Sequence, residues 1–240
     1  MSKRSTKFVL ALVALVALTG CSHTNSSKNS SNNVSTPVYS DADISSGCWT
    51  AAQRDRTSEG DSGVAGQMQW KEPPAMTLDP NKSYTATIET SAGNLEVEFY
   101  PKDAPKTVNN FVCLAKAGYY DNTPFHRIIK GFVIQGGDPT GTGTGGPGYR
   151  FNDEPISKDY LKGTLAMANA GKNTNGSQFF VVTADLRNKL PKSYTIFGQV
   201  TDGMDVVDKL ENSPVTVSNS GEQSKPVNPV TLNKVTIHET

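Results

Sequence analysis

At 240 residues the chain is long enough for one or two domains, and its 23 basic and 23 acidic side chains cancel to a formal net charge of zero. That balance removes the electrostatic grounds for proposing a nucleic acid or an anionic membrane surface as partner. Apolar residues make up 35% of the chain, and the abundance of Gly, Ser, Asn, Thr and Pro leaves part of it outside any packed core.

The first segment reads as a targeting signal. Lys3, Arg4 and Lys7 form a positive n-region, and Phe8 to Leu18 is an unbroken apolar run, shorter than the roughly 20 residues needed to span a bilayer. It ends in Leu18-Thr19-Gly20-Cys21, which resembles the bacterial lipobox, in which small residues precede a cysteine that is lipidated and becomes the mature N-terminus. Residues 1–20 are therefore expected to be a lipoprotein signal peptide and Cys21 the lipidation site. Several acyl chains would give the stable anchoring that a single chain does not. Residues 21–40 are rich in Ser, Asn and Thr with almost no apolar side chains. Such a segment cannot offset its ordering entropy by burial and is expected to be a disordered tether.

Residues 41–76 carry Cys48-Trp49, a charged stretch from Arg54 to Asp61, Trp70 and Pro73-Pro74. Two readings stand: a pre-barrel segment partly packed on the main domain, or a continued linker. From Met76 the pattern is orderly. Tyr84 to Thr90 and Asn94 to Tyr100 alternate at period two around the turn signal Ser91-Ala92-Gly93, which predicts a β-hairpin. A helix is predicted from Pro105 to Ala117, with Val108, Phe111, Val112 and Ala115 on one face and Gly118 as its stop. Short strands follow around Phe125–Ile129 and Phe132–Gln135. The loop from Gly136 to Gly148 contains GxGxGG but no Gly-Lys-Ser/Thr, so a phosphate loop is rejected. Gly163 to Ala168 and Gln178 to Thr183 read as strands, with Asn175-Gly176 favouring a tight turn between them. A strand from Tyr194 to Val200, a helix from Met204 to Leu210 and a strand within Pro226 to Glu239 complete the pattern. Many short strands with two helices point to a closed or nearly closed β-barrel over residues 77–240.

Two stretches carry the chemistry: FHRIIKGFVIQGGD from Phe125 to Asp138, and MANAGKNTNGSQFF from Met167 to Phe180, followed by Phe197-Gly198. In composition, order and spacing they resemble the cyclophilins, over roughly Thr85 to Glu239. The resemblance implies an eight-stranded antiparallel barrel capped by two α-helices. It also implies peptidyl-prolyl cis-trans isomerase activity in a groove on the barrel's outer surface. Phe132 and Phe180 would line a pocket for the proline ring, completed by Val133, Leu190 and Tyr194. Asn169 would bind the substrate main chain through its backbone, Gln135 would hydrogen-bond near the rotating carbonyl or hold Arg127, and Ala168 and Gln178 would line neighbouring parts of the groove. His126 is expected to be groove-lining or structural. Many eukaryotic members place a tryptophan and then a histidine where this chain has DLRNKLPKSY from Asp185 to Tyr194. The missing indole weakens any expectation of tight cyclosporin binding.

The reaction needs no nucleophile, metal or cofactor. Rotation about the peptide bond before proline is opposed by amide resonance, a barrier of about 18–20 kcal/mol. An acceleration of roughly 10⁵ requires lowering it by about 7 kcal/mol. In the twisted amide the proline nitrogen becomes pyramidal and gains a lone pair. A guanidinium donor there favours the twisted state over the planar one, which is differential binding, and arginine stays charged with fixed donor geometry. Arg127 is the candidate donor. The alternative is a proline-peptide binding module or holdase with little turnover, which would need the pocket but not the donor.

With Cys21 lipidated, Cys48 and Cys113 remain, in a compartment that permits disulfides. Cys113 falls off the apolar stripe of its helix, so a Cys48–Cys113 bridge is predicted, which would dock the pre-barrel segment. The expected partners are proline-containing polypeptides, with membrane contact through the lipid anchor only. The expected state is an extracytoplasmic monomer.

Overall fold

The computed structural model describes residues 46–50, 52–53 and 68–240; the leader, Cys21, the tether and the charged stretch from Arg54 lie outside the described residues. The alternating segments form β1 (Tyr84–Thr90) and β2 (Gly93–Phe99). They pair antiparallel with Thr90 opposite Gly93. Next come α1 (Pro105–Lys116), β3 (Thr123–Pro124), β4 (Arg127–Ile129), β5 (Val133–Gly136), β6 (Thr164–Met167), β7 (Phe179–Val182) and β8 (Ile196–Asp202). The chain ends with α2 (Met204–Glu211), a hairpin of β9 (Val215–Val217) and β10 (Gln223–Pro226), and β11 (Thr231–Glu239).

Nine strands share one sheet in the order β3-β11-β1-β2-β8-β6-β7-β5-β4, and β9 and β10 form a separate two-stranded sheet. The strand count thus differs from the eight expected, while the mainly β class with two helices holds. The sheet's end strands, β3 and β4, are separated in the chain only by Phe125 and His126, so the sheet curls until its edges meet at that corner.

Alternation along the strands sorts side chains into two apolar clusters. Ile128, Ile134, Leu165, Met167, Phe179, Val181 and Phe197 point inward, against Val108, Phe111 and Val112 of α1 and Val207 and Leu210 of α2. Val133, Ala166, Phe180, Val182 and Ile196 point outward into a second cluster with Tyr160 and Leu186. Phe179 and Phe180, adjacent in sequence, therefore serve opposite faces.

The N-cap position of α1, Ala104, has no side-chain acceptor. Glu154 supplies it from a distance, accepting from Lys106 N–H, Thr107 N–H and the Thr107 hydroxyl at 2.9, 2.8 and 2.7 Å. A carboxylate at this end also suits the helix dipole.

The pre-barrel residues described pack on the domain. Trp49 and Trp70 stack with ring centres 4.3 Å apart, both are buried, and Trp70 rests against Tyr119. Main-chain bonds run from Trp70 N–H to Pro147 O and from Ala75 N–H to Cys48 O, each at 2.9 Å. Gly148 is required beside them: its φ is +90°, and a Cβ there would lie 2.6 Å from Trp70 O. On α1, Asn109 Oδ1 accepts from Thr77 N–H and Asn109 Nδ2 donates to Ala75 O. Cys48 and Cys113 are joined by a disulfide with Cα atoms 5.8 Å apart. Helix α1 is consequently buried on nearly every face from Thr107 to Ala115, not on one stripe. Within this segment Cys48, Trp49 and Trp70 are buried, while Lys71 to Pro73, Ala75 and Met76 are exposed.

Two local expectations are corrected. The connection from β6 to β7 is not a tight turn at Asn175-Gly176. Asn175 instead makes an isolated bridge with Phe151, each N–H bonding the other's carbonyl, and the positive φ values fall at Gly171 and Asn173. A bridge to a residue 24 positions earlier in the chain outcompetes the local turn preference. The second correction is the β9–β10 hairpin, for which no element was predicted between Leu210 and Pro226.

Candidate active site

The register of the curled sheet assembles a row of side chains. Arg127 of β4 lies opposite Gln135 of β5, Gln135 opposite Phe180 of β7, Phe180 opposite Ala166 of β6, and Ala166 opposite Ile196 of β8. Directly opposed residues share a face, so the cation, the amide and the ring stand side by side on the outer surface. Val133, Phe180, Phe132, Ala168, Leu190 and Tyr194 all belong to the outer cluster. Val133 and Phe180 are its buried floor; Phe132, Ala168, Leu190 and Tyr194 are half-buried around it. Tyr194 meets Phe180 edge to face at 5.6 Å, and the Arg127 guanidinium lies 5.9 Å from the centre of the Phe132 ring.

The amide groups form a chain whose direction is fixed at its far end. Gln178 Nε2 donates to two carbonyls, Gly143 O and Gly145 O, at 3.0 and 2.9 Å, so Gln178 presents its oxygen to Gln135. Gln135 Nε2 donates to it at 3.0 Å, which leaves Gln135 Oε1 facing Arg127 Nη1 at 3.4 Å. The only acceptor Gln135 has left is thus turned toward the guanidinium.

The Gly-rich loop that supplies those carbonyls is wound around the buried Asp138. Its carboxylate accepts from Thr140 N–H, the Thr140 hydroxyl, Gly143 N–H and Gly145 N–H at 2.8, 2.7, 2.7 and 3.1 Å. Burial pushes the Asp138 pKa up, but these hydrogen bonds outweigh it and hold the group below the usual carboxylate value. Gly137, which begins the loop, has φ +81°, and a Cβ there would come within 2.4 Å of Ser177 O. The backbones of the two motif stretches meet at that point.

His126 is half-buried next to Arg127 in the chain. Neither ring nitrogen has a protein partner, and Nε2 lies 3.6 Å from the point where Gly143 would carry a Cβ. Burial pushes its pKa below the ordinary 6.5, the Arg127 charge adding to the shift and Asp138 opposing it. The Asn169 side chain ties two loops together, Nδ2 donating to Ser193 O in the β7–β8 connection and Oδ1 accepting from Gly171 N–H in its own.

Sequence reasoning missed two groups. Asp138 stood inside the first motif without a role. Glu222, on the β9–β10 hairpin, grips Arg127 through both carboxylate oxygens, with Nε donating at 2.6 Å and Nη2 at 2.9 Å. The signal for the hairpin was present in the β-branched run Val215-Thr216-Val217 followed by Ser218-Asn219-Ser220-Gly221. Among the described residues no cluster of His, Cys, Asp or Glu could hold a metal ion.

The curled, mainly β sheet thus carries an apolar outer surface bordered by a cation and oriented amides. The family model for cyclophilin-type peptidyl-prolyl cis-trans isomerases matches residues 85–237, and the chain belongs to that family. A peptidyl-prolyl cis-trans isomerase of Arabidopsis thaliana is 46% identical over 159 residues, covering 64% of this chain and 96% of its own length. One from Helicobacter pylori is 44% identical over 156 residues, covering 59% and 95%. Among solved structures, a cyclophilin-type isomerase of Cryptosporidium parvum is 41% identical with a TM-score of 0.60, covering 65% of this chain and 98% of its own. A structure described in the presence of the dipeptide Ala-Pro has a TM-score of 0.59 at the same 41% identity, covering 64% and 98%.

Proposed function

We propose that the protein rotates X-Pro bonds of exported or cell-envelope polypeptides, held at a membrane by lipid on Cys21, and that Arg127 supplies the donor that stabilises the twisted amide. The observation that carries the mechanism is the placement of Arg127 beside Gln135 in the outer row, with Nη1 turned to Gln135 Oε1. The proline ring would bury against Phe180, Val133 and Phe132, with Leu190 and Tyr194 as the far rim and Ala168, Asn169 and Gln178 along the chain direction. Burial of the ring supplies affinity; the guanidinium acts on the state in which the proline nitrogen is pyramidal. His126 needs no proton-transfer role, because rotation about the peptide bond moves no proton. The envelope assignment is supported by the leader pattern ending in Cys21 and by a disulfide suited to an oxidising compartment.

A protease-coupled assay on an Ala-Pro peptide tests the mechanism. Wild type is expected to accelerate isomerisation, and Arg127→Ala to lose about 10²–10³ in kcat, the scale for removing one transition-state donor. Full activity in the variant refutes the role of Arg127. The location is tested by growing bacteria that express the full chain with labelled fatty acid. The label should enter the wild type and not Cys21→Ala, and an unlabelled, unanchored wild type overturns the assignment.

A further inference from the structure

The guanidinium of Arg127 is planar and has two usable edges. Glu222 takes the Nε/Nη2 edge with both carboxylate oxygens, and the Nη1 edge is left beside Gln135 Oε1. Two parallel bonds to one edge fix the plane of the group and therefore the direction of the other edge. We infer that Glu222 is a positioning residue for isomerisation: the β9–β10 hairpin supplies a carboxylate that aims the free edge of Arg127 at the substrate. The inference rests on the proposed role of Arg127 and adds to it a residue that lies outside both groove-forming stretches.

The hairpin is built to hold this carboxylate in place. Val217 pairs with Gln223 and Val215 with Pro226. Ser218 N–H donates to Glu222 O at 2.8 Å and Gly221 N–H to Ser218 O at 2.9 Å, so the residue carrying the carboxylate is bonded across the turn. Gln223 Nε2 donates to Val215 O, and Ser224 beside it is buried. The Arg127 hydrogen bond holds the Glu222 carboxyl below the usual value against the opposing effect of burial, with Ser224 contributing.

The pair is half-exposed, with the Arg127 and Glu222 side chains 30% and 36% accessible. A surface ion pair of this kind adds little to stability. Its geometric effect is separate from its energy. A long side chain held at one edge loses the rotamers that would carry its donor away from the reacting nitrogen, and misplacement of a catalytic group is costly in rate. Gln135 alone cannot do this, since its contact with Nη1 is long, at 3.4 Å.

The test uses the full chain in six forms: wild type, Glu222→Ala, Glu222→Gln, Arg127→Lys, the Arg127→Lys/Glu222→Ala double variant, and Arg127→Ala. Glu222→Ala should lower kcat about tenfold while KM stays within about twofold, and Glu222→Gln, which keeps one acceptor, should lose less. In the Arg127→Lys background, which has no guanidinium edge to hold, Glu222→Ala should change kcat by less than about twofold. The Arg127 Nε–H resonance should lose its solvent protection in Glu222→Ala at an unchanged melting temperature. An unchanged kcat, an increased kcat (which would make Glu222 a brake), or an equal loss in both backgrounds overturns the inference. The Nε–H signal separates the two levels of failure. If Arg127→Ala is fully active, the proposed mechanism fails and the positioning role with it, although the resonance still reads the clamp. If Arg127→Ala is inactive and the resonance does not respond to Glu222→Ala, the clamp alone fails.

Discussion

Replacing Cys48 and Cys113 together by serine removes a cross-link between residues 65 apart in sequence. In the chain-entropy treatment a loop of that length restrains the unfolded state by about 4 kcal/mol at 25 °C. For a domain of this size each kcal/mol moves Tm by about 2–4 °C, so the double variant, or the wild type in reductant, should melt about 10 °C lower. The structure also predicts how the loss is distributed. The chain has 2 tryptophans; both are buried in the docked segment, stacked on one another, so intrinsic fluorescence reports that segment. Without the bridge it is held by the main-chain bond from Trp70 to Pro147, by Asn109 and by the contact of Trp70 with Tyr119. Fluorescence should then change at a lower temperature than far-UV circular dichroism, whereas the two should coincide in the oxidised wild type. Turnover of a short proline peptide should stay within about twofold, because the bridge lies in the inner cluster and the groove in the outer one. A Tm shift below about 2 °C, or coincident transitions in the variant, would refute the view that the bridge docks the segment.

Two other perturbations probe the scaffold behind the groove. Asp138→Asn leaves at least one loop N–H facing an amide NH₂ instead of a carboxylate oxygen, at a cost of about 2–3 kcal/mol. It should also lower turnover, because the carbonyls of Gly143 and Gly145 that orient Gln178 lose their support; an unchanged Tm would contradict the proposed organisation of the loop. His126 has its pKa lowered by burial, so below its ordinary value of 6.5 the unfolded chain binds the proton more readily than the folded one. Stability should therefore fall as pH drops from about 6.5 to the lower folded value, with no further loss from this group below it. Denaturant melts of wild type and His126→Gln across pH 5–8 should differ in this slope, and parallel profiles would count against the assignment.

What the sequence discloses follows from how local each cause is. The hairpin of β1 and β2 is readable because Tyr84 to Thr90 alternates and Ser91-Ala92-Gly93 turns. The groove motifs are readable because Arg127, Gln135 and Phe180 lie in two compact stretches. Their assembly into one row is a matter of register between β4, β5 and β7, which the family resemblance implies and periodicity alone does not. Asn175-Gly176 misleads because its bridge partner, Phe151, is remote in sequence. Glu222 stayed hidden for the same reason: the ion pair joins residues 95 apart, and nothing near Arg127 in sequence identifies which carboxylate meets it. Of the residues proposed for substrate contact, Phe132, Val133, Ala168, Phe180, Leu190 and Tyr194 fall in one outer cluster and His126, Asn169 and Gln178 do not; their roles toward a bound peptide rest on the resemblance and on the variants described above.

Exchange NMR at equilibrium separates binding from catalysis most directly, because it follows cis and trans populations of a proline peptide while the protein is present in catalytic amount. Wild type should give strong cis–trans exchange cross-peaks. With Arg127→Ala they should fall by about 10² or more, while shift perturbations around Phe132, Phe180 and Tyr194 continue to report peptide binding. Binding without exchange in the wild type, or undiminished exchange in the variant, would contradict the proposed mechanism.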